Sequence, residues 1–122
     1  MADAHHHHAI DYVELAVTDV EEAKRFYAEA FGWQFTDYGP EYAGIHGPGG
    51  ESGPEAGGLR LDAEVTTGGP LVLVYSDDLD GTLSAVTAAG GLVVDGPYDF
   101  PGGRRFHFRD PSGNQLGVWS PA

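Results

Sequence analysis

The chain has 122 residues, enough for one domain with one modest core. Its 41% hydrophobic content is ordinary for a globular protein, no apolar run approaches the roughly 18–20 residues of a membrane span, and the lack of cysteine excludes disulfides and thiolate metal sites. Nineteen acids against six bases give a formal charge of -13, which repels phosphate backbones and argues against nucleic acid as a partner; the same charge draws cationic ligands to an acidic cleft, or simply keeps the surface solvated.

Residues 1–9 read as a tail. It holds the run His5–His8, either native or a tag fragment, which can pick up metal adventitiously and is set aside from the site argument. The first residues lack the apolar centre of a signal peptide, so a soluble, cytoplasmic protein with no membrane contact is expected. The run IDYVELAV (10–17) alternates as a strand does, with Val13, Leu15 and Val17 on one face and Tyr12, Glu14 and Ala16 on the other. Asp19 then caps a helix over Val20–Phe31, with Glu22 three residues on, apolar residues at helical spacing, and Gly32 placed to stop it. Shorter strands follow at Trp33–Asp37, Tyr42–His46 and Gly58–Leu61.

The second half repeats the plan. Leu71–Ser76 is a strand, Asp78 caps a helix over Leu79–Ala89, and Gly90-Gly91 ends it. Strands follow at Leu92–Val94, Arg104–Arg109 and Gln115–Trp119. The two helix starts, TDVEEAK and DDLDGTL, lie 59 residues apart, about half the chain. The expected fold is therefore α+β: one domain over 10–120, with a βαβββ module at 10–62 and a second at 70–120. A curved sheet with one face under its helix leaves the other face open. Two such modules, in one chain or across a dimer, make an incomplete barrel around a cavity. Open sheet edges favour a homodimer.

Paired βαβββ modules, a first strand ending LAVTD, a helix with Phe26-Tyr27 and the closing FHFRDPSGNQLGVW resemble the vicinal oxygen chelate superfamily. That superfamily includes glyoxalase, fosfomycin-resistance enzymes, extradiol dioxygenases and bleomycin-resistance proteins. The closing LGVW is similar to a branch described as predicted lactoylglutathione lyase-related. The resemblance covers nearly all of Ile10–Ser120, and the D-P-x-G-N turn is its most specific part.

Enzymes of the superfamily hold a divalent metal with His, Gln or Glu at four inward strand positions. By that resemblance the four places fall on Tyr12, Arg60, Leu71 and Gly117. Leu71 and Gly117 offer no donor, neutral tyrosine is a poor ligand, and arginine is always charged, so no metal cofactor is expected. Arg60 would instead favour an anionic or carbonyl group of a ligand. The alternation places Phe106 and Phe108 under the helices and Arg105, His107 and Arg109 on the cavity face; in fosfomycin-resistance enzymes the places matching Arg105 and His107 contact substrate. His46 faces inward and Ile45 faces the core, while Trp119 shares the face of Gly117.

Each of these residues has a plainer reading. Glu14 can pair with Arg60 or Arg105, His107 can be an exposed strand histidine, His46 borders a Gly-rich loop, and Trp119 can be core or dimer contact. Asp110–Asn114 reads as turn chemistry rather than catalysis. A metal site from Glu14, His46 and His107 has ligands of the right type but no spacing signature.

Two functions follow. One is a small-molecule-binding protein sequestering a drug or metabolite, with Tyr12, His46, Arg60, Leu71, Arg105, His107, Gly117 and Trp119 against the ligand. The resemblance supports it, since bleomycin-resistance members are acidic, lack the metal and hold a cationic drug in dimeric clefts. The other is a metal-independent lyase or isomerase with Glu14 or His107 as the catalytic base and Arg105 or Arg60 stabilising an oxyanion. A metal-dependent glyoxalase-like enzyme ranks third.

Overall fold

The computed structural model describes residues 7, 10, 12–48, 50, 54–66 and 71–121. The tail at 1–9, apart from His7, lies outside the described residues, as do the start of the second module at 70 and part of the Gly-rich loop after His46. The elements run β1 (Val13–Val17), α1 (Val20–Phe31), β2 (Gln34–Asp37), β3 (Tyr42–His46), β4 (Glu55–Leu61), β5 (Leu73–Tyr75), α2 (Leu79–Ala89), β6 (Leu92–Phe100), β7 (Gly103–Arg109) and β8 (Gln115–Ser120). Two four-stranded mixed sheets result, ordered β1-β4-β3-β2 and β5-β8-β7-β6. Each first strand pairs in parallel with the last strand of its module, and the other pairs are antiparallel. The sheets are not closed into a barrel.

Both helices match the expected bounds because their ends are chemically fixed. Asp19 accepts from Glu22 N and Asp78 from Gly81 N, satisfying N-terminal amides that lack a helical partner. Gly32 (φ 73°) and Gly90 (φ 109°) close the helices in the left-handed conformation, where a Cβ is unfavourable. Along α1, Val20, Ala23, Phe26, Tyr27 and Ala30 are buried, a stripe at helical spacing.

That stripe joins the helix-facing sides of both sheets in one core: Val17, Ala43, Ile45 and Leu59 from the first, Phe106, Phe108, Leu116 and Val118 from the second. Phe26 and Phe31 of α1 reach Phe108 with ring centroids 6.0 and 5.9 Å apart. Each such ring, removed from water, stabilises by about 1.5–3 kcal/mol. A polar lock adds to this. Tyr27 Oη donates to Asp110 Oδ2 at 2.7 Å, Asp110 Oδ1 accepts from the amides of Ser112 and Asn114, and Asn114 Nδ2 donates to the carbonyl of Ala16 at 2.6 Å. The D-P-S-G-N turn thus ties the second sheet to α1 and β1 of the first. Burial and Asp110 hold the Tyr27 phenol well above its usual pKa.

Four strands differ from expectation by more than one residue. β1 and β5 are shorter than the apolar runs suggest. β4 starts at Glu55 rather than Gly58, and β6 runs to Phe100 rather than ending at Val94. Register shifts explain both extensions: Ala56 is an extra residue opposite Ile45–His46, and β6 carries shifts between Val93 and Tyr98, with Gly96 at φ 86°.

Candidate functional site

With one face of each sheet on the shared core, strand alternation turns the other face outward. The first sheet places Tyr12, Glu14, Tyr42, Gly58 and Arg60 there, together with Thr36 and His46. Their side chains form a continuous network. Arg60 Nε donates to Glu14 Oε1 at 3.0 Å and Arg60 Nη1 to Asp62 Oδ2 at 3.0 Å. Tyr42 Oη donates to Glu14 Oε2 at 3.0 Å, and the Tyr12 and Tyr42 hydroxyls lie 2.7 Å apart. Glu55, brought to this face by the bulge, accepts from Tyr38 and, at 3.5 Å, from Tyr12. Partial burial, then the bonds to Tyr12 and Glu14, push the Tyr42 phenol up, and the Asp62 carboxyl is lowered by Arg60. Gly58 makes the arrangement possible: a Cβ there would sit 1.9 Å from Tyr42 Oη and 2.8 Å from Tyr12 Oη.

The second sheet carries a different set. The register row Tyr75–Trp119–Arg105–Tyr98 crosses all four strands. Arg105 Nε donates to Tyr98 Oη at 2.6 Å, and its guanidinium carbon lies 5.5 Å from the Tyr98 ring centroid and 5.2 Å from that of Phe100. Tyr98 Oη lies 3.3 Å from His107 Nε2. Trp119 packs edge-on against Tyr75 (5.4 Å) and Phe100 (6.4 Å). His107, 9% exposed, is not the solvated strand histidine of the plainer reading, while Phe106 and Phe108 on the other side are fully buried, as the alternation requires.

Between the sheets, at the free edge of β1, a cleft of about 660 Å³ is lined by Glu14, Arg60, Asp62, Glu64, Leu71 and Gln115 among others. A smaller apolar pocket of about 270 Å³ adjoins it, between Val13, Leu15, Val72 and Leu116. Of the expected ligand contacts, Glu14, Arg60 and Leu71 share the larger cleft; Arg105, His107 and Trp119 do not line it. Tyr12, Glu14 and Arg60 form one network and Arg105, His107 and Trp119 another, and none of the contacts given above joins them. His46, buried, bonds Thr36 Oγ1 through Nε2 at 2.9 Å.

The family's metal does not fit the donors at its four places. Tyr12 and Arg60 are tied to Tyr42, Glu14 and Asp62, and Leu71 has no donor. At Gly117 a Cβ would meet Leu73 Cδ2 at 2.5 Å and His107 Cδ2 at 3.2 Å, so a glutamate there requires Leu73 to move. Nor do Glu14, His46 and His107 come together: among the described residues no group of three His, Cys, Asp or Glu can hold a metal ion.

Sequence reasoning missed Tyr38, Tyr42 and Glu55 on the first face and Tyr75, Tyr98 and Phe100 on the second. Tyr38, Tyr42 and Tyr75 were legible from strand parity; Glu55, Tyr98 and Phe100 depend on register shifts.

A pair of βαβββ modules with open sheet faces defines the class, and the comparisons agree. Residues 9–118 match the family model described as Glyoxalase/Bleomycin resistance protein/Dioxygenase superfamily, and the chain belongs to that family. A glyoxylase-like domain-containing protein of Didymella fabae is 32% identical over 119 residues, covering 88% of this chain and 90% of that protein. TnmS3, an antibiotic binding protein from Streptomyces sp. CB03234, superposes with a TM-score of 0.68 at 27% identity, over 100% of this chain and 99% of that one. A glyoxalase/bleomycin resistance protein/dioxygenase family enzyme from Burkholderia phytofirmans PsJN gives a TM-score of 0.77 at 18% identity, covering 93% and 98%, and shares the fold. No helix among the described residues is long and apolar enough to cross a membrane.

Proposed function

We propose that this protein binds a small organic molecule without using the family metal, and that it sequesters a drug or metabolite. The observation that carries the reading is the donor set Tyr12, Arg60, Leu71 and Gly117. A divalent ion needs several deprotonated ligands converging on one point. Here a guanidinium engaged by two carboxylates occupies one of the four places. The similarity to an antibiotic binding protein over the whole chain supports a binding role.

The reading includes a homodimer. β1 and β5 are edge strands, and Leu71, Leu73 and Tyr75 are exposed beside them. Sedimentation at micromolar concentration should give a dimer mass; a monomer refutes that part. The binding reading is tested by native mass spectrometry and elemental analysis of protein lacking His5–His8. A retained organic ligand with no stoichiometric metal is expected. Metal surviving dialysis, and lost on changing Glu14, His46 or His107, overturns it. A metal-independent enzyme is the second reading, favoured by His107 lying buried with Nε2 3.3 Å from Tyr98 Oη, a hydroxyl that itself accepts from Arg105 Nε. Turnover of a carbonyl substrate abolished by His107→Gln would select it.

A further inference from the structure

Only six side chains in this chain are lysine or arginine, and three of them, Arg104, Arg105 and Arg109, lie on β7. Arg104 pairs with Asp80 and Asp99 on the helix-facing side. Arg105 is different. Its partners among the described residues are a phenol and two aromatic rings, and no carboxylate neutralises it. Its Nε is spent on Tyr98, which fixes the plane of the guanidinium. Neither Nη group has a hydrogen-bond or ion-pair partner among the described residues, and no buried side-chain nitrogen or oxygen there lacks one, so the Nη groups reach solvent. In a protein of charge -13, an oriented and uncompensated guanidinium between Trp119 and Tyr98 marks a place for an anion.

We propose that this face of the second module binds an aromatic ligand carrying a carboxylate or phenolate oxygen: the oxyanion on the Nη groups of Arg105, the ring against Trp119 and Tyr75. The inference rests on the small-molecule-binding reading and names its ligand class, against the cationic class that the overall charge suggests. Tyr98 and Phe100 are positioning residues. They hold the guanidinium flat by a hydrogen bond and ring contacts, so that less side-chain freedom is lost when the anion binds. The register row makes the geometry rigid, since Tyr75, Trp119, Arg105 and Tyr98 sit side by side on four paired strands.

The test is isothermal titration of the full chain with 2-naphthoate, with 2-naphthylmethylammonium, and with neutral 2-naphthalenemethanol. Naphthoate should bind at least about tenfold more tightly than either congener, the worth of one charge-assisted hydrogen-bond pair. Arg105→Gln should remove that preference, while Arg104→Gln, which deletes the same charge from the same strand, should leave it. Tyr98→Phe keeps the charge and the ring but releases Nε, and should weaken naphthoate by a few-fold; it also serves if Arg105→Gln fails to fold. Trp119→Leu should weaken all three probes.

Equal or tighter binding of the ammonium probe overturns the ligand class and leaves small-molecule binding standing. Binding of none of the three overturns the ligand class as well. Retained native ligand would then keep the broader reading, and its absence would overturn both. If Trp119→Leu or Arg105→Gln instead converts a dimer to a monomer in sedimentation, with naphthoate inert, the face belongs to a second copy and the proposal falls.

Discussion

Module one and module two begin alike and end in different chemistry. In each an aspartate caps the helix, a glycine ends it, and a parallel pair joins first strand to last. Yet α1 buries five residues, including Phe26 and Tyr27, and α2 buries two, Leu79 and Val86. The open faces diverge further. On the first, three carboxylates, three tyrosines and Arg60 satisfy one another. On the second, Arg105 is held by aromatic rings and has no acid partner among the described residues. The fold constrains the helix-facing residues, which must fill a common core, and leaves the other face free to vary. Function in this architecture therefore resides where the two halves differ.

The largest expected effect tests the asymmetry of the core. Phe108 is fully buried and touches Phe26, Phe31 and Phe106. Phe108→Ala should cost about 3–5 kcal/mol in denaturant unfolding, whereas Val86→Ala on α2 should cost about 2 kcal/mol. Equal losses would mean that Val86 of α2 anchors the core as firmly as Phe108, the ring on which Phe26 and Phe31 of α1 pack.

The joint between the modules offers the next test. Tyr27→Phe removes a buried donor to Asp110 and should cost about 1–2 kcal/mol at neutral pH. It should also change the alkaline limb. The folded Tyr27 phenol has a raised pKa, so its contribution is complete below the unfolded value of about 10 and is lost as pH rises through the folded value. Wild-type stability should fall above that pH, and Tyr27→Phe should fall less steeply. Parallel curves would show that another group controls alkaline unfolding.

How much of this was legible in the sequence depends on what sets each position. The helices were, because caps and glycine stops act locally. The faces of β7 were, because Phe106 and Phe108 alternate with Arg105 and His107 and only one register buries the rings. The partners of Glu14 were only half legible: Arg60 was one of two named candidates, but Tyr42 was not seen. Glu55 reaches Tyr12 and Tyr38 because Ala56 is accommodated as a bulge opposite Ile45–His46, which no periodicity announces. Gly96-Pro97 reads as a strand end, yet β6 continues through it and brings Tyr98 and Phe100 to Arg105. A register shift is an agreement between two strands, and one strand's sequence does not record it.

The two open faces can be compared through their arginines. Arg60 is exposed and already paired with Glu14 and Asp62, so Arg60→Ala should barely move the unfolding midpoint. It should also change naphthoate affinity by less than about twofold, since what it deletes is already neutralised and screened. This reverses the expectation that Arg60 recognises a ligand's anionic group. A loss as large as that of Arg105→Gln would put the anion in the cleft beside β1 instead.

The smallest effect concerns what the modules share. Asp19→Ala and Asp78→Ala should each cost about 1 kcal/mol, because each removes one acceptor from an N-terminal amide at 3.0 or 3.1 Å. Module two adds a twist, since Gly81 stands inside the first turn of α2, where alanine is normally favoured by about 1 kcal/mol. A Cβ at 81, however, would lie 2.4 Å from Asp78 Oδ2, the carboxylate that caps Gly81 N. Gly81→Ala must therefore displace its own cap, and the gain in helix propensity is offset by the loss of the bond. Alone it should leave stability unchanged within a few tenths of a kcal/mol; in the Asp78→Ala background, with nothing left to displace, it should stabilise by about 1 kcal/mol. A gain of the same size in both backgrounds would show that the carboxylate moves aside without losing its hydrogen bond, and that glycine at 81 is not required by the cap.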